Sequence, residues 1–163
     1  MANTHKLISS VTLSSAAANI TFSSIPATYT DLIVKFSTKE ATTGTWEIFV
    51  DFNSTSSNQT CRVLRGSGGY GVSSAATSNI KAAGSVGVPP FSNAEMYIPN
   101  YASSNYKSVN INSVSEYNAA ESYQMLTAGL WSDTAAITSI KLRLASGNID
   151  TYSTAYLYGI SNA

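Results

Sequence analysis

Cysteine, histidine and charge are all scarce in this chain, and each scarcity closes off a class of function. Cys61 is the single cysteine, so no intramolecular disulfide can form and thiolates cannot build a zinc site. His5 is the single histidine and stands near the N-terminus, a poor place to hold a general base against a serine or cysteine nucleophile. Charged residues make up 11% of the chain, against about 25% in an ordinary soluble domain. Nine basic residues balance nine acidic ones, which leaves no cationic footprint for nucleic-acid phosphates. Residues 1–22 lack the continuous apolar stretch of a signal peptide or membrane anchor; no membrane contact and synthesis in a reducing cytoplasm are the expectations.

Hydroxyls and amides fill the place of charge. Ser, Thr and Asn number 27, 17 and 13. A neutral surface of this kind does little to hold copies apart in solution. It suits a protein whose copies sit against each other or against a scaffold, and a secreted β-protein has the same composition. Hydrophobic residues make up 44% of the 163, enough for one domain whose core buries about 70% of the surface of the unfolded chain.

The dominant pattern is alternation with period two. Trp46, Ile48, Val50 and Phe52 share one face of 45–52, opposite Glu47 and Asp51. Leu32, Val34 and Phe36 alternate with Lys35, and Ile140, Leu142 and Leu144 with Lys141 and Arg143. Each is the pattern of a half-buried antiparallel strand. Further strands are expected over 7–13, 20–25, 60–65, 94–99, 106–116, 123–132 and 153–160. About ten short strands divided by turn-rich stretches give an all-β, antiparallel β-sandwich or jelly roll. Val114, Tyr117 and Ala120 have helical spacing, but the pattern breaks at Glu121; a hairpin with its tip at 118–121 is preferred. The stretch 66–93 holds six of the ten glycines and two prolines and reads as a long loop excursion that contacts a neighbour. Residues 1–19 read as an N-terminal arm with the first strand, and 20–163 as one sandwich domain.

Motifs for catalysis or cofactor binding are weak, and neither an enzyme nor a bound cofactor is expected. Gly66-Ser-Gly-Gly-Tyr-Gly71 matches G-x-G-x-x-G. It runs on into a Ser- and Ala-rich stretch instead of the helix that a dinucleotide's pyrophosphate needs. The carboxylates are scattered singly, so no acid/base pair can be chosen. Asp51-Phe-Asn53 opens like a calcium loop but lacks the later acidic ligands and the glycine. Tyrosine does stand out, with ten in the chain. A large rigid ring with a polar tip serves protein interfaces and sugar sites alike, as well as core edges. Tyr70, Tyr97, Tyr101, Tyr106, Tyr117 and Tyr123 are the interface candidates. Two classes remain: a structural assembly protein and a lectin-like binding module.

Four segments carry a family resemblance: Ser24-Ile-Pro-Ala-Thr-Tyr-Thr-Asp-Leu-Ile-Val-Lys-Phe-Ser37; Ala94-Glu-Met-Tyr-Ile-Pro-Asn-Tyr-Ala102 with Tyr106-Lys-Ser108; the stretch from Gly129-Leu-Trp-Ser-Asp to Leu144; and Tyr152-Ser-Thr-Ala-Tyr-Leu-Tyr-Gly-Ile160. In order and content they resemble tailed-phage, cyanophage-type virion proteins, among them capsid decoration (cement) proteins and related tail-fibre modules. The resemblance runs from about residue 20 to the end and carries no catalytic residues. It implies a jelly-roll-like β-sandwich, commonly homotrimeric, seated on the exterior of the major capsid protein shell or built into a fibre. Long repetitive shaft segments are missing from the sequence, which favours decoration. Residues 1–6 are then expected to be a docking arm.

Overall fold

The computed structural model describes residues 4–42, 45–67, 70–86, 90–116 and 122–161, with the backbone alone for 45–46, 67, 70–77 and 85–86. Every regular element among them is a β-strand. In chain order the first six are β1 (His5–Thr12), β2 (Asn19–Phe22), β3 (Asp31–Thr38), β4 (Thr45–Phe52), β5 (Gln59–Ser67) and β6 (Tyr70–Thr77). The second six are β7 (Ile80–Val86), β8 (Ser92–Ile98), β9 (Lys107–Ser115), β10 (Tyr123–Trp131), β11 (Ile140–Leu144) and β12 (Thr154–Ile160).

They form two antiparallel sheets packed as a sandwich. The large sheet runs β1-β12-β3-β8-β9-β10-β5-β6 and the small one β2-β11-β4-β7. Eight of the twelve strands pair as one long hairpin folded across the two layers. β1 joins β12, β2 joins β11, β3 joins β8 and β4 joins β7. That wrapped order is the jelly roll. The other four strands, two hairpins β5–β6 and β9–β10, are added to the large sheet beyond β8.

Alternation in the sequence becomes alternation in burial. Leu32, Val34 and Phe36 of β3 point into the core, as do Ile140, Leu142 and Leu144 of β11. From the added strands, Val63, Val109, Ile111, Met125 and Trp131 also point inward, where β7 packs across them. Fully burying each such side chain stabilises by about 1.5–3 kcal/mol. At Gly129 on the inner face of β10, a Cβ would lie 2.7 Å from Val109 Cγ2 on the neighbouring strand and 3.1 Å from Ile80 of β7 in the facing layer. Only glycine lets β7 sit this near β10 without displacing the core.

The stretch 66–93 is therefore not a loop excursion, because it contains β6 and β7. Their composition hides them: YGVSSAAT and IKAAGSV have one or two large apolar residues each. β7 needs no more, since Ile80, Ala82 and Ala83 are fully buried under the large sheet. Of the expected docking arm, 1–6, His5 and Lys6 already belong to β1 and pair with β12, while residues 1–3 lie outside the described residues. β9 and β10 pair with each other out to Ser115 and Tyr123, as a hairpin requires; its expected tip, 118–121, lies outside the described residues.

One buried cation ties the loops at the end of the sandwich. Lys107 is almost wholly buried, and its Nζ donates to the carbonyls of Ser103, Asp133 and Ala135 at 2.8, 3.2 and 2.5 Å. The ammonium also lies 5.4 Å from the centre of the Trp131 ring. Burial lowers its pKa, partly offset by the charge of Asp133.

Candidate functional site: the outer faces of the two sheets

A strand buried on one side turns every second residue to the other, so each sheet has an outer face. On the small sheet that face is charged. Asp51 of β4 lies under Lys141 and Arg143 of β11, with its Oδ2 2.9 Å from the Lys141 ammonium and 2.8 Å from the Arg143 Nε. Burial alone would push its carboxyl pKa up, but the hydrogen bonds and charges of Arg143 and Lys141 outweigh this and hold it below the ordinary value. Glu47 and Lys81 pair at 2.6 Å, and the Arg143 guanidinium covers the Phe49 ring at 5.4 Å. Each of the five charged side chains on this face has an opposite partner.

The large sheet differs. Of nine large hydrophobic residues left exposed among the described residues, Tyr106 and Tyr152 are in loops and the other seven stand on this outer face. Five of the seven are on β5, β8, β9 and β10: Leu126 at 48% exposure, Leu64 at 47%, Val114 at 41%, Tyr97 at 38% and Leu130 at 36%. Cross-strand register sets Leu64 beside Leu126 and Leu126 beside Asn112. In the adjacent row Arg62 faces Ala128, Ala128 faces Asn110 and Asn110 faces Tyr97. These rows border an open trough of about 550 Å³, with Pro99 and Ser108 on its walls. A second hollow of about 660 Å³ continues past Thr60 and Leu130. Arg62 lines both and forms no ion pair with any described residue.

The tyrosine candidates separate sharply. Tyr97 lies on the trough, and its hydroxyl donates to Asp31 Oδ2 at 2.8 Å, which raises the pKa of the phenol. Tyr106 is exposed in the loop before β9. Tyr101 is not a surface residue: it is fully buried, and its hydroxyl donates to the Pro26 carbonyl. Tyr123, the first residue of β10, is buried on its inner face with the Arg65 guanidinium 4.4 Å from its ring centre. The Tyr70 side chain and all of Tyr117 lie outside the described residues. The aliphatic members of the face were missed because alternation is read for one apolar face. A signal was present in β10, where Met125-Leu126 and Leu130-Trp131 are adjacent apolar pairs, as in strands covered on both sides.

The motifs considered for chemistry are taken up by the fold. Gly66 and Ser67 are the last residues of β5 and Tyr70-Gly71 opens β6, so a strand, and not a helix, follows the glycine motif. Asp51 is held by Lys141 and Arg143, while Asn53 Oδ1 accepts from the backbone amides of Thr138 and Ser139 at 2.8 and 3.2 Å. Among the described residues no three His, Cys, Asp or Glu side chains gather as metal ligands. No helix among the described residues is long and apolar enough to cross a membrane. Comparison with protein families, curated proteins and solved structures finds no match for the chain.

Proposed function

We propose that this protein is a capsid decoration (cement) protein of a tailed-phage particle. It is made in the host cytoplasm, assembles as a homotrimer and seats on the exterior of the major capsid protein shell. The observation that carries this reading is the one-sided apolar surface. A sandwich that leaves seven large hydrophobic side chains on the outer face of one sheet is suited to being covered by protein. The four phage-like segments supply the setting. A symmetric oligomer engages several equivalent shell sites at once, so modest contacts add to high avidity, and the shell gains resistance to the pressure of packaged DNA. The role requires no catalysis.

Quantitative mass spectrometry of purified particles tests the reading. Hundreds of copies per particle on the shell are expected, and particles lacking the protein should lose DNA at lower temperature. A handful of copies confined to a vertex would overturn it. One observation favours a second reading, a fibre module that binds a host glycan: Tyr97, Asn110 and Arg62 share an open trough, and such groups serve sugars. Saturable glycan binding that Tyr97→Ala abolishes would establish that alternative.

A further inference from the structure

We propose that copies of this chain meet each other through the outer face of β5, β8, β9 and β10. The inference rests on the homo-oligomer in the reading above and assigns it a surface.

Three properties of the face select a second copy as its occupant. The first is extent. Three strands of nine residues and one of seven, about 4.8 Å apart with about 3.4 Å per residue, cover roughly 550 Å² in projection, of the order of the ~800 Å² per partner of a specific interface. The second is self-complementarity. Asn110, Asn112 and Gln124 project from this face, and a carboxamide both donates and accepts. Around the three-fold axis of a trimer each carboxamide can therefore donate to one copy and accept from the next, and Leu64, Leu126 and Leu130 need only another aliphatic surface. Gln124 and Asn112 already show this chemistry within one chain, with Gln124 Nε2 donating to Asn112 Oδ1 at 2.8 Å.

The third property is charge. Two ionic side chains stand on the outer face of these four strands: Glu95 of β8, already paired with Lys35 of β3 at 2.9 Å, and Arg62 of β5, which alone lines the trough. Arg62 stands to one side of the β9–β10 rows, so copies related by symmetry about those rows keep their guanidiniums apart. With nine charges of each sign, the chain as a whole adds little repulsion. Composition also argues against a sugar as the main occupant. Glycan sites are built from ring faces and hydrogen-bond donors, whereas four of the five large exposed groups here are aliphatic. Tyr and Arg are enriched, and Lys and Glu depleted, at interfaces between proteins.

Sedimentation velocity on the full chain, over a concentration series, is the test. The wild type is expected to associate. Leu126→Glu and Leu64→Glu, each on an exposed site and each checked for an unchanged far-UV circular dichroism spectrum, should weaken association by about a hundredfold or more, because each buries a carboxylate against aliphatic side chains of the next copy. Thr21→Glu, on the outer face of the small sheet, should leave association unchanged. A monomeric wild type would overturn the inference, as would an oligomer that neither Leu variant weakens. The particle experiment stays separate. A monomer abundant on the shell would refute this interface and leave decoration standing. An oligomer joined by this face but found only at a vertex would do the reverse.

Discussion

The outer faces of the two sheets answer the same constraint in opposite ways. Both belong to strands whose inner sides are fully committed to the core, so each had to be finished with whatever the solvent side required. The small sheet closes its face internally: Asp51 is held by Lys141 and Arg143, Glu47 by Lys81, and Phe49 is covered by Arg143. The large sheet leaves Leu64, Leu126 and Leu130 open beside Arg62. The difference follows the topology. The charged face belongs to the four strands of the jelly roll's small layer, and the apolar one centres on the two added hairpins and their neighbour β8. The small sheet thus pairs all five charged side chains of its outer face, whereas the large sheet, beside its exposed Lys35–Glu95 pair, leaves Arg62 without an ionic partner among the described residues and seven large hydrophobic side chains exposed.

Breaking the closed face should have the largest effect on stability. Asp51→Ala leaves Lys141 and Arg143 without their shared, nearly buried carboxylate, and a loss of about 3 kcal/mol in urea unfolding is expected. The same group sets a pH dependence. Its folded pKa lies below the unfolded one, so its contribution is complete above the ordinary carboxylate range and is lost as the pH falls through the depressed folded value. Wild type should therefore lose more stability than Asp51→Ala on acidification through that window, as paired melts at stepped pH would register.

Next in size is an effect beneath the open face. Gly129→Ala, pointing inward at Val109 and Ile80, overpacks the core and should cost about 2 kcal/mol. Its neighbour Ala128 points outward on the same strand, and Ala128→Ser should fall within about 0.5 kcal/mol of wild type. Equal losses at the two positions would break the distinction between inner and outer faces. Smaller still is the stability cost of Leu126→Glu in the isolated monomer, also expected within about 0.5 kcal/mol, although the same change should disrupt association. The smallest effect belongs to Lys35 and Glu95, a pair 2.9 Å apart with both side chains more than half exposed. A double-mutant cycle there should give a coupling of about 0.3 kcal/mol.

How much of this could be read from residues alone varied with the chemistry of each strand. β3, β4 and β11 form where alternation predicts, because a large apolar residue recurs at every second position through the middle of each, despite Ile33 and Phe49 on the outer sides of β3 and β4. β6 and β7 were hidden because alanine, serine and glycine make up most of them, and a strand of small residues has no large-apolar rhythm to detect. The exposed aliphatic face escaped for a different reason. Counting tyrosines drew attention to Tyr101, whose hydroxyl finds the Pro26 carbonyl inside the core, since composition cannot say which side of a strand a ring occupies. The aliphatic face instead depends on Leu64 of β5 and Leu126 of β10 being brought side by side, a pairing between residues 62 positions apart.

Hydroxyl-radical footprinting of the wild-type protein in its native assembly tests most directly whether the large sheet's outer face is covered by protein. Oxidation at Tyr97, Leu126 and Leu64 should fall several-fold between the dissociated and the assembled chain, while Tyr152 in its loop keeps reacting. Equal oxidation of the three in both states would contradict the account.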